Sequence, residues 1–158
     1  CEIDEVTLNV SHRNNQLICD YAAKLYMDLP AANACQCKGC RNRSNEHMGV
    51  FLVRESEVDC YLNKYKPVQL RWSTRKHCSK EFPVFNFGAS KGLSFDRVLI
   101  YPTEEMIEWV RNNSFILKYE TRAKFYVGIT RARYSVAIVM DYGENEVFDG
   151  IKTYSMEV

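Results

Sequence analysis

The chain has 158 residues, of which 21 are Lys or Arg and 20 are Asp or Glu, and 46% of its residues are hydrophobic. A single domain of this length buries roughly 70% of its extended surface without needing disulfides or a structural metal. No apolar run reaches the roughly 20 residues of a membrane span and no stretch has the pattern of a signal peptide, so we expect a soluble, cytoplasmic protein without a membrane partner. The net charge of +1 excludes binding to nucleic acid through overall charge, so local groups would have to provide it.

The first half of the chain is predicted to contain strands, two helices and one basic loop. In chain order, the predicted elements are a strand at residues 6–10, a helix from Gln16 that ends at Leu29-Pro30, strands at 50–54 and 68–72 around a helix at 58–65, and a loop at 73–81. The strand at 50–54 is apolar throughout and is therefore expected to be buried on both faces. The loop is polar and basic, which is typical of a solvated surface.

The second half predicts an alternation of strands and helices. Its predicted elements are strands at residues 83–87 and 97–101, a helix that begins after the N-cap Thr103, a helix at 123–133 and a closing strand at 135–140. Strands that alternate with helices indicate a mostly parallel sheet covered on both faces, so the expected fold class is α/β. Neither an internal repeat nor an interdomain linker interrupts residues 1–158, which predicts one domain.

The seven cysteines, an odd number, argue against a fully paired disulfide framework. Cys35, Cys37 and Cys40 form a CxCxxC run that would bind zinc if a fourth ligand came from elsewhere. The candidates for that ligand are His47, Cys60, His77 and Cys78. A single triplet has no spacing that predicts tetrahedral closure, so the sequence favours the alternative, a reduced and partly exposed loop.

Three polar stretches follow or interrupt the predicted elements, namely residues 11–14, 88–94 and 130–133. Ligands of open α/β sheets bind beyond the carboxyl ends of the strands, and we expect these stretches to lie there. The glycines, serines and lysine of residues 86–96 suit either an anion-binding loop or an ordinary turn. The chain contains no GxxxxGK[ST] pattern of a Walker A loop. Arg131 and Arg133 would lie on different faces of the predicted helix, so at most one of them would enter a given site.

Three segments, in order, resemble motifs of the C-terminal motor domain of superfamily 1 helicases of the UvrD/Rep type. Residues 8–26 (LNVSHRNNQLICDYAAKLY) resemble motif IV, residues 87–102 (FGASKGLSFDRVLIYP) resemble motif V and residues 124–140 (KFYVGITRARYSVAIVM) resemble motif VI. The segments cover under half of the chain but include its beginning, middle and end. The resemblance implies a RecA-like, P-loop NTPase-type domain of three layers, without its own Walker A loop, that is a fragment of a longer ATPase.

The resemblance also implies roles for individual residues. Arg13 and Arg131 stand in the places of the motif IV and motif VI arginines, which in such helicases reach the γ-phosphate of ATP and would be the catalytic residues here. The motif V segment would contribute Lys91, Gly92 and Ser94 to nucleotide binding and Asn86, Gly88 and Ser90 to contacts with DNA. ATP and Mg²⁺ would be held in the full-length protein, by an N-terminal RecA-like motor domain of the same polypeptide.

Several positions depart from the family pattern. Asn86 and Gly88 stand where Thr and His are common, and Ser94 stands where Glu is common. The interval from Arg13 to Lys91 is too short for the inserted domain of larger members, so the chain would be a compact variant. The implied function is the second motor domain of an ATP-dependent DNA helicase or translocase, which contacts single-stranded DNA and is inactive alone. The alternative is a non-catalytic nucleic-acid- or protein-binding module that retains the fold and uses the basic loops at 38–43 and 71–80.

Overall fold

A six-stranded, fully parallel sheet forms the centre of the molecule. The computed structural model describes residues 10–11, 14–28, 33–35, 47–90 and 92–154, with side chains from residue 14 onward. The strands of the sheet are β3 (Gly49–Val53), β4 (Val68–Arg71), β5 (Val84–Asn86), β6 (Phe95–Ile100), β7 (Ala132–Val139) and β8 (Lys152–Thr153), in the order β5-β4-β6-β7-β3-β8. Two short strands, β1 (Val10–Ser11) and β2 (Asn33–Ala34), pair separately and in parallel. The predicted parallel α/β architecture is confirmed.

Four α-helices among the described residues connect or flank these strands. They are α1 (Gln16–Ala23), α2 (Val58–Tyr65), α3 (Glu104–Arg111) and α4 (Tyr119–Thr130), with 3₁₀ turns at Glu55–Glu57 and Phe87–Ser90. Helix α3 begins as predicted, because the Thr103 hydroxyl accepts a hydrogen bond from the backbone N–H of Met106 at 3.4 Å. The described residues contain no helix that is long and apolar enough to cross a membrane.

Apolar side chains pack on both faces of the sheet, which gives three layers. Successive residues of the central strands point to opposite faces, so Leu52 joins one core cluster and Val53 the other. The first cluster lies under α1, α3 and α4 and contains Ile18, Tyr21, Leu52, Ile100, Met106, Trp109, Phe125 and Ile138. The second lies under α2 and contains Val53, Val58, Tyr61, Leu62, Leu99, Ala137, Val139 and Tyr154. Helix α1 ends at Ala23, earlier than the predicted end at Leu29-Pro30. It buries Ile18, Cys19, Tyr21 and Ala22, whereas Leu17 is 47% exposed.

Two predictions in the second half of the chain are wrong. The helix predicted at residues 123–133 begins four residues earlier and ends at Thr130, so Arg133 lies on β7 rather than on a helix. Pairing of Ala132 with Phe95 on β6 starts the strand there, and this tertiary contact overrides the helical preference of Ala and Arg. The strand at 135–140 is not the last, because β8 adds to the sheet beside β3. Most of the strand predicted at residues 6–10 lies outside the described residues.

Candidate functional site

The junction between α4 and β7 carries Arg131, the catalytic candidate that the structure describes. Arg131 is the C-cap of α4 and immediately precedes β7, so it lies at the amino end of that strand. Its Nε donates to the carbonyl oxygen of Val127 at 3.2 Å and its Nη1 to that of Leu93 at 3.2 Å. The guanidinium is therefore held in place by two backbone carbonyls, while the side chain stays partly exposed.

Two asparagines at the start of α1 form hydrogen bonds with the backbone of this junction. Asn14 is buried, and its Nδ2 donates to the carbonyls of Thr130 at 2.9 Å and Ala132 at 2.6 Å, the residues on either side of Arg131. The Nδ2 of Asn15 donates to the Tyr134 carbonyl at 2.7 Å, while its Oδ1 caps α1. The motif IV-like segment thus sits directly on the motif VI-like segment. Arg13, the other catalytic candidate, lies outside the described residues, next to Asn14.

The motif V-like segment reaches the same junction from the other side. Besides the Leu93 carbonyl that accepts from Arg131, the backbone N–H of Phe95 donates to the Arg131 carbonyl at 2.8 Å. The pairing of β6 with β7 shifts register between Phe95 and Arg97, directly after this contact. All three motif-like segments therefore meet within hydrogen-bonding distance of Arg131 or its neighbours.

The motif V-like segment also crosses the sheet from one edge to the other. Asn86 ends β5 at the level of Arg71, the last residue of β4, whereas Phe95 begins β6 beside Ala132. The segment passes over the sheet as the 3₁₀ turn Phe87–Ser90, which packs against α4. The packing is close, because a Cβ built on Gly128 would lie 2.6 Å from Cε1 of Phe87.

The remaining motif V candidates occupy different parts of this crossing. Gly92 is exposed with a φ of +84°, and Ser94 is partly buried beside the Arg131 junction. Asn86 is partly buried and accepts a hydrogen bond from Arg71 at 3.2 Å, while Gly88 is exposed. The hydroxyl of Ser90 is buried and donates to the Phe87 carbonyl at 2.7 Å. Lys91 lies outside the described residues.

The expectation that all three polar stretches lie beyond the carboxyl ends of the strands is wrong for Arg131 and for residues 92–94. Both lie at the amino ends of β7 and β6, because the crossing returns the chain to that edge and α4 ends there. At the opposite edge, the carboxyl ends of β6 and β7 border a cleft of about 290 Å³. Its charged lining consists of Glu55, Lys76, Arg111 and Asp141.

Electrostatics distinguish the two arginines of this region. Arg133 pairs with Asp96 at 2.9 Å on the surface, whereas both bonds described above for Arg131 go to neutral carbonyls. The charge of Arg131 also acts on Tyr126, whose pKa is raised by burial and lowered in part by this cation.

The described part of the cysteine-rich region does not form a metal centre. Cys35 is buried, whereas Cys37 and Cys40 lie outside the described residues. No group of three His, Cys, Asp or Glu side chains that could hold a metal occurs among the residues that the structure describes. His47 instead donates or accepts a hydrogen bond with the Tyr61 hydroxyl at 2.7 Å and stacks between the rings of Phe51 and Tyr65. Burial, reinforced by the charges of Arg97, Lys64 and Lys152, lowers the pKa of His47 to about 4.

Comparisons of the sequence with protein-family models and with curated proteins find no match. Solved helicase structures share the fold. Methylated PRRSV nsp10 (helicase) is 20% identical, with a TM-score of 0.51 over 89% of this chain and 25% of that chain. The PRRSV helicase is 19% identical, with a TM-score of 0.50 over 89% of this chain and 24% of that chain. Arterivirus nonstructural protein 10 (helicase) in complex with DNA is 18% identical, with a TM-score of 0.50 over 84% of this chain and 25% of that chain.

The fold is RecA-like. At these identities the likeness shows the fold alone, and the chain spans about a quarter of the length of those helicases. The sequence placed Asn14 in the polar stretch at residues 11–14 but indicated no individual role for it, although its side chain shapes the site of this RecA-like domain. Its neighbour Asn15 precedes a helix and could be recognised as an N-cap, but the contacts of Asn14 with residues 130 and 132 leave no local signal in the sequence.

Proposed function

We propose that this chain is the second RecA-like motor domain of an ATP-dependent DNA helicase or translocase of the UvrD/Rep type. In this proposal Arg131, together with Arg13, acts on the γ-phosphate of ATP held by a preceding motor domain of the same polypeptide. The convergence of the three motif-like segments on the α4–β7 junction carries the proposal. Residues that are far apart in the sequence, such as Asn14 and Thr130, are joined there by a hydrogen bond.

The geometry of Arg131 suits the stabilisation of phosphate charge. Phosphoryl transfer builds charge on the equatorial oxygens, and an arginine supplied across a domain interface is worth about 10³ to 10⁵ in rate in NTPases. The contacts of Arg131 with the Val127 and Leu93 carbonyls orient its planar guanidinium before any phosphate arrives, so little entropy is lost when it binds. Bound Mg²⁺ would neutralise phosphate charge, and its ligands would come from the preceding domain.

The crossing of the motif V-like segment supports a link between nucleotide and DNA. Asn86 and Gly88, proposed to face DNA, lie at the carboxyl end of β5, while Gly92 and Ser94, proposed to face the nucleotide, lie beside Arg131. Only residues 89–91 separate the two groups in the chain, and the turn Phe87–Ser90 packs tightly against α4. A movement at one end of this crossing would therefore displace the other end, because the connecting segment is short and closely packed.

Replacement of Arg131 by Ala tests the proposal. In the full polypeptide that contains this chain, we expect Arg131→Ala to lower the kcat of DNA-stimulated ATP hydrolysis by about 10³-fold or more. Arg133→Ala is the matched control, because Arg133 is two residues away and forms a surface ion pair with Asp96. We expect that control to retain kcat, since an exposed pair contributes at most about 1 kcal/mol to stability.

Thermal unfolding of both variants verifies that the fold is kept. Hydrolysis at the wild-type rate in a folded Arg131→Ala protein would refute the proposal. The gene upstream of Cys1 gives a second test, because the proposal requires a GxxxxGK[ST] loop in the same reading frame. Its absence, combined with DNA binding by this chain alone, would favour the non-catalytic binding module.

A further inference from the structure

One short stretch of the chain contains four of its 21 Lys and Arg residues. Residues 71–80, here called the basic segment, contain Arg71, Arg75, Lys76 and Lys80 and no acidic residue. Since the whole chain has 21 Lys and Arg against 20 Asp and Glu, the other 148 residues have 17 against 20 and a net charge of −3. The basic segment therefore places four cationic side chains where β4 ends and the chain turns towards β5, although Lys76 pairs with Glu55 at 3.6 Å and Glu81 follows directly.

Buried and partly buried side chains of β4 hold the basic segment in a defined shape. Gln69 is fully buried, and its amide both donates to the Ser79 carbonyl at 2.9 Å and accepts from the Ser79 N–H at 3.3 Å. The Tyr101 hydroxyl donates to the same Gln69 oxygen at 2.6 Å. At the other end, Arg71 donates to the Lys76 carbonyl at 2.9 Å. A segment that is already ordered loses less conformational entropy when it binds a ligand.

The basic segment lies beside the carboxyl end of β5, where the motif V-like segment begins. Arg71 donates to the side chain of Asn86, and the ring of Trp72 lies edge-on to Phe87 with 6.5 Å between centroids. Helix α4 adds a further cation, because Nζ of Lys124 lies 4.2 Å from the centre of the Trp72 ring. The Trp72 ring packs against the core and stays partly exposed. An accessible aromatic ring among cations is a combination that binds single strands, whose bases stack while their phosphates pair with Lys and Arg.

We propose that the basic segment is a phosphate-binding surface for single-stranded DNA, continuous with Asn86 and Gly88. This inference rests on the proposed function, and it adds Arg75 and Lys80 as DNA-contacting residues that the motif V resemblance does not include. Both side chains are exposed. Single-stranded DNA is favoured over an acidic protein because the aromatic ring and the motif V-like start lie in the same patch.

The salt dependence of binding to a fluorescent oligothymidylate tests this surface. Each phosphate contact with a single strand contributes about 0.7 to the slope of log K against log salt concentration. For the full polypeptide without nucleotide, we therefore expect Arg75→Ala combined with Lys80→Ala to reduce that slope by about 1.4 and to weaken binding at low salt. Lys64→Ala combined with Lys152→Ala is the matched control. It also removes two exposed positive charges, but both lie near His47, and Lys152 is on the strand at the opposite edge of the sheet from β5.

Three results would overturn the inference: an unchanged slope in the Arg75/Lys80 variant, an equal reduction in the control variant, or equally tight binding of polyglutamate that competes with the oligonucleotide. Hydrolysis assays separate this inference from the proposed function. If Arg75 and Lys80 do not bind DNA, the salt slope stays unchanged while Arg131→Ala still lowers kcat. A failure of the motor assignment would appear as normal hydrolysis in Arg131→Ala, whatever the salt slope.

Discussion

Gly128 lies where the motif V-like turn packs most closely on α4. An added Cβ would lie 2.6 Å from Cε1 and 2.8 Å from Cδ1 of Phe87. Ordinary carbon contacts are about 3.5 to 4.0 Å, so the ring would have to move by roughly 1 Å. Phe87 is only 1% exposed and its ring meets that of Trp72, which leaves little room for such a movement.

The expected cost of Gly128→Ala follows from two opposing effects. Ala in a helix interior is favoured over Gly by about 1 kcal/mol, whereas overpacking a filled core costs typically 1 to 3 kcal/mol. The difference between these ranges is a net loss of roughly 0 to 2 kcal/mol in the free energy of unfolding. Because Phe87 has little room to move, we expect the upper half of that range, a loss of about 1 to 2 kcal/mol. For a domain of this size, that corresponds to a decrease in Tm of roughly 2 to 8 °C.

Thermal unfolding followed by circular dichroism measures this effect. Gly88→Ala is the matched control, because a Cβ at Gly88 would have no atom within 4 Å and the residue is exposed. We expect its Tm to stay close to that of the wild type. Adding Phe87→Leu to Gly128→Ala should recover part of the loss by removing ring atoms at the clash. A Gly128→Ala chain as stable as the wild type would show that the ring yields easily and would refute the reasoning.

Asn14→Ala should lower the free energy of unfolding by about 1 to 3 kcal/mol, because the carbonyls of Thr130 and Ala132 lose their buried donor. Chemical denaturation measures this loss, and the exposed Asn63→Ala on α2 is the control; equal stability of the two variants would contradict the role given to Asn14. For His47, whose pKa of about 4 in the folded state lies below its ordinary value of 6.5, the folded protein binds fewer protons than the unfolded chain. Stability should therefore be full above about pH 6.5 and decrease as the pH falls towards 4, and an NMR titration that gave His47 a pKa near 6.5 would refute this.

The parallel sheet could be predicted because its central strands contain continuous apolar runs, such as VLI at the end of β6 and VAIV at the end of β7. The five residues of β3 are all buried, as the uninterrupted run GVFLV indicates, and the Thr103 cap marks the start of α3 without any tertiary information. The strand β8 could not be predicted, because Lys152 and Thr153 are both exposed and carry no apolar pattern. It pairs with β3 through backbone groups, which any sequence can provide.

The sequence predicted which residues form the candidate site better than it predicted where they lie on the sheet. The resemblance selected Arg131, but its position at the amino end of β7 depends on where α4 ends, and Ala and Arg alone favour continuing the helix. The hydroxyl of Thr130 bonds back to the Tyr126 carbonyl at 2.8 Å, which satisfies an acceptor of the last turn. Contacts such as that of Leu93 with Arg131 arise only after both segments have folded onto the sheet.

The position of β3 has a consequence for how the protein is made. This strand is complete by Val53, yet its only sheet neighbours among the described residues are β7 and β8, which begin at Ala132 and Lys152. A ribosome must therefore add about 80 residues before the most apolar strand finds its first partner. During that interval the sequence GVFLV is an unpaired, uncharged segment of the kind that associates with other chains. We therefore expect protection of residues 49–53 to favour correct folding of this domain until the later strands emerge.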